Sequence, residues 1–244
     1  MIRAVIFDLD GTLVQTERLK ALSYARAAVE LCPYDVSEEE VIDAYRDVVG
    51  RPRREVASAL VERFDLEDKA GARMDEFGVD RAWQAFVQVR LEYYEEMVSD
   101  PDVLRENRWP HNLELLQIAR ETGCKTALAT MSDCERTRQV LEALELTDAF
   151  DFVATSDDVE NGKPDPQIYL LVCDELGIPS DQSLAIEDSP SGVEAALAAG
   201  LHCIAVTTPF TRKKIHAQGV LDQRHVVDDP DVLPDVVREM IEAE

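Results

Sequence analysis

Residues 1–13 read MIRAVIFDLDGTL. The apolar run from Ile2 to Phe7 stops at Asp8, and a second aspartate, Asp10, stands directly before Gly11. A short run rich in β-branched residues that ends on carboxylates reads as a buried strand delivering its last side chains to the rim of a sheet. Working outward, similar runs end in polar residues at Cys124 to Thr130, Phe152 to Thr155, Ser183 to Ile186 and Leu201 to Val206. Between them lie helical patterns at Asn112 to Glu121, Glu135 to Leu146, Asp165 to Leu176 and Gly192 to Ala199, with Gly123, Gly177 and Gly200 placed as stops. Strand and helix alternating in this way predict an α/β fold, a doubly wound, Rossmann-like parallel sheet with helices on both faces.

The interval between Leu13 and Trp109 breaks that rhythm, because it carries helical periodicity and no convincing strand. Four stripes stand out: Leu19, Leu22 and Val29; Val41, Tyr45 and Val48; Val56, Leu60 and Phe64; Trp83, Phe86, Val87 and Leu91. The expected organisation is a core formed by residues 1–13 and 109–244, with an all-helical domain of four helices inserted at 14–108. A short amphipathic pattern after Pro230 predicts a terminal helix.

Composition bounds the rest. The chain has 244 residues, 45% of them hydrophobic and 31% charged, and no apolar run approaches the roughly 20 residues that a membrane span needs. The first residues lack the apolar length and small-residue cleavage site of a signal peptide, so a cytoplasmic protein is expected. The five cysteines are scattered and never paired at metal-binding spacing, which reads as reduced thiols. A formal net charge of -25 opposes approach to nucleic acid or an anionic membrane surface. Only six of the 25 basic residues are lysine. Such a balance suits a salt-rich cytoplasm, or an ordinary acidic protein of arginine-biased composition.

In open parallel sheets, ligands bind beyond the carboxyl ends of the strands. The polar residues expected there are Asp8, Asp10, Gly11 and Thr12 after the first strand, Thr130 after the second, Lys163 after the third, and Glu187 with Asp188 after the fourth. Four carboxylates, a lysine and a hydroxyl that converge call for a cation, and an all-oxygen set suits Mg²⁺ rather than zinc.

The segments DLDGTL, Ala129 to Met131 (ATM), Gly162 to Pro166 (GKPDP) and Glu187 to Gly192 (EDSPSG) together resemble the four ordered motifs of the haloacid dehalogenase superfamily. The helical insertion is similar to the cap of the subfamily that holds phosphoglycolate phosphatase and beta-phosphoglucomutase. The resemblance implies a phosphatase acting on a small phosphorylated metabolite. Asp8 would be its nucleophile and Asp10 its general acid and base, with the Asp10 carbonyl also binding the metal. Gly11, Thr130, the Met131 amide and Lys163 would bind the phosphate, and Asp8, Glu187 and Asp188 would hold Mg²⁺, Glu187 through water or by supporting the shell. A receiver-like signalling module would lack the second aspartate of DLD and the helical insertion. A dehalogenase would not keep Asp10, Glu187 and Asp188.

Departures from the family pattern concern the substrate. Gln15 stands where relatives commonly have aspartate, Met131 where they have asparagine or a small residue, and His111 follows Pro110 where they have glycine. VVGRPRREV, Val48 to Val56, resembles the cap loop that in beta-phosphoglucomutase offers an arginine to a second phosphate, and Arg53 falls at that position. Lys20 stands where that mutase has a histidine, and Asp133 where it has a lysine for the distal phosphate. Hydrolysis is therefore expected before a sugar phosphomutase reaction.

Overall fold

The structure is a computed structural model and describes residues 1–49 and 51–242. It divides into two compact units, one formed by Met1–Gln15 and Leu104–Glu244, the other by Thr16–Val103. Gly50, inside the VVGRPRREV stretch, lies outside the described residues.

The first unit is built on six parallel strands: β1 (Ala4–Phe7), β2 (Lys125–Ala129), β3 (Phe152–Ala154), β4 (Ser183–Glu187), β5 (His202–Val206) and β6 (Val226–Val227), in the order β3-β2-β1-β4-β5-β6. All four residues of β1 are buried, as a central strand covered on both faces requires. Its register sets Phe7 beside Leu128 on one side and Ile186 on the other. The residues that follow these strands therefore leave the sheet at one level, and Glu187 itself is the last residue of β4.

The second unit, Thr16–Val103, is all helical. Its long helices are α1 (Thr16–Leu31), α2 (Glu38–Val48), α3 (Arg53–Arg63) and α6 (Ala82–Ser99), and two short ones, α4 (Glu67–Gly71) and α5 (Met74–Phe77), lie between α3 and α6. Six helices thus stand where four were expected, because helices of five and four residues present too few turns to register as a period. Ser37 and Glu40 form a reciprocal capping box that starts α2. Tyr24, Tyr45 and Phe86 meet ring to ring at 5.6 and 5.7 Å, the centre of this unit's own core. Burying a ring such as Phe86 stabilises the unit by about 1.5–3 kcal/mol.

α7 (Pro101–Glu106) begins in the second unit and ends in the first. In the first unit, α8 (Pro110–Glu121) precedes β2, α9 (Cys134–Ala143) precedes β3, α10 (Gln167–Leu176) precedes β4 and α11 (Pro190–Ala198) precedes β5, followed by α12 (Arg212–Gln218) and α13 (Leu233–Glu242). Ile6, Ala127, Ala129, Ala185 and Ala205 pack with Ile168, Tyr169, Val172 and Val193 of α10 and α11. The small residues let those helices lie close to the sheet, while α8 packs on β1 and β2 through a second layer that includes Leu115 and Ile118.

Helix boundaries shift from the expected ones for identifiable reasons. α8 and α11 begin two residues early because Pro110 and Pro190 occupy their first turns, where a missing N–H costs nothing. α9 ends at Ala143 rather than Leu146, and Glu145 takes a positive φ of 61°. β6 is a correction to the five expected strands. Its two residues, paired with Ala205 and Val206, are too few to announce themselves by pattern. Among the described residues no helix is long and apolar enough to cross a membrane.

Candidate active site

β1 ends at Phe7 and delivers Asp8, whose backbone N–H donates to the Ile186 carbonyl at 3.0 Å and so is fixed against β4. The turn that follows needs Gly11. Its φ is +89°, and a Cβ there would lie 2.1 Å from Asp188 Oδ2, so any side chain would displace that carboxylate. Gly192, in the first turn of α11, does the same for Glu187, whose carboxyl carbon lies 2.0 Å from where a Cβ would stand. Two glycines thus make room for two adjacent acids.

Lys163, which precedes Pro164 through a cis peptide bond, reaches into this cluster. Its ammonium donates to Asp8 Oδ1 at 2.7 Å, Glu187 Oε1 at 2.6 Å and the Ala129 carbonyl at 2.9 Å, with only 4% of its side chain exposed. Glu187 also accepts from the Tyr169 hydroxyl at 2.6 Å and from Ser189 Oγ at 3.2 Å, while Ser189 caps α11 by accepting from the Gly192 N–H. Both oxygens of Glu187 are therefore engaged. Carboxylate oxygens of Asp8, Glu187 and Asp188, all buried, lie within 4.8 Å of one another and form a group able to hold a metal ion.

The electrostatics follow from burial. Burial raises the pKa of Asp8 to about 7; Lys163 opposes the shift, and Glu187 and Asp10 add to it. For Lys163, burial alone would favour the neutral amine, but Asp8 and Glu187 outweigh it and hold the group charged. Three carboxylates around one ammonium leave a buried excess of negative charge that a cation would relieve.

Asp10 stands apart from the side-chain triad. It is half-buried, and its Oδ2 accepts from Ser132 Oγ at 2.5 Å and from Thr130 Oγ1 at 3.4 Å. Ser132 and Tyr169 are additions to the residues read from the sequence. Ser132 lies two residues beyond Thr130, close enough to have been found, whereas nothing in a helical stripe says that the Tyr169 hydroxyl would reach Glu187. The Met131 side chain, 39% exposed, covers Gly162 just before Lys163. Asp133 serves a local purpose, accepting from the Arg136 N–H at 2.8 Å to cap α9.

In the helical unit, the Lys20 ammonium lies 2.7 Å from Glu17 Oε1, one turn earlier on α1. The three arginines of VVGRPRREV have different surroundings. Arg51 donates to the Asp47 carbonyl, Arg54 lies 5.9 Å over the Trp83 ring, and Arg53, exposed at the first position of α3, has neither kind of partner among the described residues.

Comparison with known proteins gives a consistent picture. Residues 5–206 match the family model described as haloacid dehalogenase-like hydrolase. A phosphorylated carbohydrates phosphatase from Thermotoga maritima is 34% identical over 82% of this chain and 83% of its own. A phosphoglycolate phosphatase from Salmonella typhimurium is 31% identical over 99% of this chain and 92% of its own. A crystal structure of a candidate beta-phosphoglucomutase from Thermotoga maritima superposes with a TM-score of 0.71 at 29% identity, covering 98% of this chain and 99% of that one.

Proposed function

Because the chain belongs to the haloacid dehalogenase-like hydrolase family, we propose that it is a Mg²⁺-dependent phosphatase that hydrolyses a small phosphate monoester through a phosphoryl group carried on Asp8. The observation that carries this reading is the buried Lys163, which bridges Asp8 and Glu187 beside Asp188. The residues fit a divalent cation, because the triad is short of positive charge and Gly11 and Gly192 keep the space its carboxylates occupy. Asp8 and Asp188 would hold it directly. Glu187, saturated by Lys163, Tyr169 and Ser189, would support them from behind. The chemistry that Mg²⁺ supplies there when bound is cancellation of the repulsion between Asp8 and the substrate's phosphate.

Asp8 attacks phosphorus through the oxygen it turns to the cleft, and the bond to the leaving alkoxide breaks as the aspartyl phosphate forms. Lys163, the Thr130 hydroxyl and the Met131 amide stabilise the oxygens on which charge develops. Asp10, oriented by Ser132 and Thr130, gives its proton to the leaving oxygen. It then takes a proton from the water that attacks the phosphoryl group, which returns Asp8. The Thr16–Val103 unit, which contains Lys20 and Arg53, would select the substrate.

The test is a panel of phosphate monoesters, including phosphoglycolate, hexose phosphates and nucleotides, assayed for phosphate release with and without Mg²⁺. Release of phosphate that depends on Mg²⁺ is expected, and Asp188→Ala should raise the Mg²⁺ concentration required by about tenfold or more. No release from any ester would overturn the reading. The similarity to the candidate beta-phosphoglucomutase favours one second reading, a sugar phosphomutase. Phosphate transferred within a hexose phosphate, with little released to water, would establish that instead.

A further inference from the structure

Cys32 is the first residue past α1, and its backbone N–H donates to the Ala28 carbonyl at 2.9 Å, which fixes it against the last turn of that helix. It is 4% exposed. Two charged groups of the same helical unit meet its sulfur. The thiol donates to Asp35 Oδ2 at 3.5 Å, and the Lys69 ammonium, held on α4 between the fully buried Leu66 and Ala70, lies 2.5 Å from Sγ. Lys69 itself is at the surface. In a chain with 50 acidic residues this lysine meets a thiol, and among the described residues no carboxylate forms an ion pair with it.

A charge-assisted N–H···O bond spans about 2.7–2.9 Å, and sulfur is a larger atom than oxygen. At 2.5 Å, Nζ and Sγ are therefore closer than a hydrogen bond between them would hold them. The separation suits two atoms bonded to one shared oxygen, because two single bonds meeting at a bent oxygen place their outer atoms about that far apart. Other buried thiols have no such neighbour. Cys124 meets the Thr122 hydroxyl and the Ile2 carbonyl, and Cys173 meets the Ser183 hydroxyl.

We propose that Cys32 and Lys69 form a peroxide-sensitive modification site, at which Sγ and Nζ become joined through a single oxygen atom. In the first step the Cys32 sulfur attacks hydrogen peroxide, and an S–O bond forms as the O–O bond breaks. Asp35 takes up the thiol proton and passes it to the departing hydroxide, which leaves as water. Sulfur has then given up two electrons and is a sulfenic acid. In the second step another hydrogen peroxide takes two electrons from the neutral Lys69 amine. The N–O bond forms to the sulfenic oxygen, and the hydrogens lost from that oxygen and from nitrogen leave with the peroxide oxygens as two waters. In sum, one thiol, one amine and two peroxides give one S–O–N link and three waters. The link fastens α4 to the end of α1 across 37 positions of the sequence.

Peptide mass spectrometry tests this on the full chain after treatment with hydrogen peroxide, removal of the oxidant, alkylation of the remaining thiols and digestion. The expected product is the Cys32 peptide joined to the Lys69 peptide, with one oxygen gained and two hydrogens lost. Dithiothreitol should return the two peptides unlinked. Lys69→Arg, a surface substitution, should abolish the link and leave Cys32 as sulfinic acid, while the exposed Cys134 oxidises equally in both proteins. Protein unfolded in urea before oxidation should not form the link. With the link in place the thermal midpoint should rise by roughly 5 °C or more, and it should fall back on reduction. Sulfinic acid at Cys32 without a link in the native protein, or a link that forms equally in urea, would overturn the proposal. A joined product that dithiothreitol does not release would be a direct sulfur–nitrogen bond and would overturn the shared oxygen. An unmoved midpoint in linked protein would overturn the fastening of α4 to α1.

Discussion

Lys163 and Arg90 are both almost wholly buried cations, one in each unit, and the two units accommodate them by opposite means. Lys163 has two carboxylates and a carbonyl within 2.9 Å, and charge meets charge. Arg90 has two aromatic faces and an unpartnered Nε. The difference separates a cation that neutralises its surroundings from one that leaves them positive. The core unit holds a buried excess of carboxylate that a cation would relieve. The helical unit holds a single buried guanidinium that is packed between rings and not matched by a carboxylate.

The largest effect that sharpens this contrast is on turnover. Asp8→Asn keeps the volume at the centre of the carboxylate cluster while removing the nucleophile and one metal-binding charge. We expect kcat to fall on the order of 10⁴-fold or more with the circular dichroism spectrum unchanged. Substantial remaining activity would place the chemistry elsewhere.

The next effect is on stability, and it sets the two cations directly against each other. Lys163→Met leaves Asp8 and Glu187 facing each other with no counter-charge, which should destabilise the metal-free protein by about 3–5 kcal/mol in urea unfolding, with part of the loss recovered in Mg²⁺. Arg90→Met removes a charge that has no carboxylate to abandon, and its cost should stay within about 2 kcal/mol with no response to Mg²⁺. Equal costs would break the comparison.

Gly192→Ala probes the space rather than the charge. The added methyl group would fall on the Glu187 carboxylate, and displacing it should cost about 1–3 kcal/mol by thermal unfolding.

The smallest effect lies at the opposite end of the strands, away from either cation. Asp151 accepts from the Thr126 N–H at 2.9 Å and from Lys125 at 2.7 Å. Burial is the largest single influence and opposes ionisation there, but these donors and the nearby charges of Lys125 and Arg120 together outweigh it and hold the carboxyl below its ordinary value of 3.8. The proton binds the unfolded chain more readily than the folded one. The contribution to stability is therefore fully present above about pH 4 and is lost as pH falls below that value. Asp151→Asn should remove that pH dependence and cost about 1 kcal/mol at neutral pH, as followed by urea unfolding across a pH series.

These contrasts also mark how far the sequence could be read. Asp8, Thr130, Glu187 and Asp188 sit at or just beyond strand ends, so a pattern of short apolar runs ending in polar residues located them without any knowledge of contacts. Lys163 came through its neighbours in GKPDP. Tyr169 and Arg90 escaped because each sits in a helical stripe that reads as core, and their roles depend on which side chains of distant elements their tips meet. Glu187 is 18 positions from Tyr169, and Tyr24 is on a different helix from Arg90. Asp133, named only for its place in the resemblance, also stands just before α9, where a short acidic side chain satisfies a backbone donor. The short α4, α5 and β6 lie below the length at which periodicity can be recognised.

One feature of the core unit concerns the chain as a connected thread. Gln15 donates its N–H to the Asn107 carbonyl at 2.7 Å, Trp109 donates to Leu13 at 2.9 Å, and Val14 bridges Arg108 in antiparallel fashion. The strand that leaves the sheet and the strand that returns to it are therefore stitched together at the point of departure. To the sheet, the whole of Thr16–Val103 is topologically equivalent to the tip of a hairpin. An insertion whose ends are already paired imposes little further loop-closure entropy, whatever its length or fold. That makes this junction a place where a module can be exchanged or shortened to a turn while β1 and its neighbours keep their register.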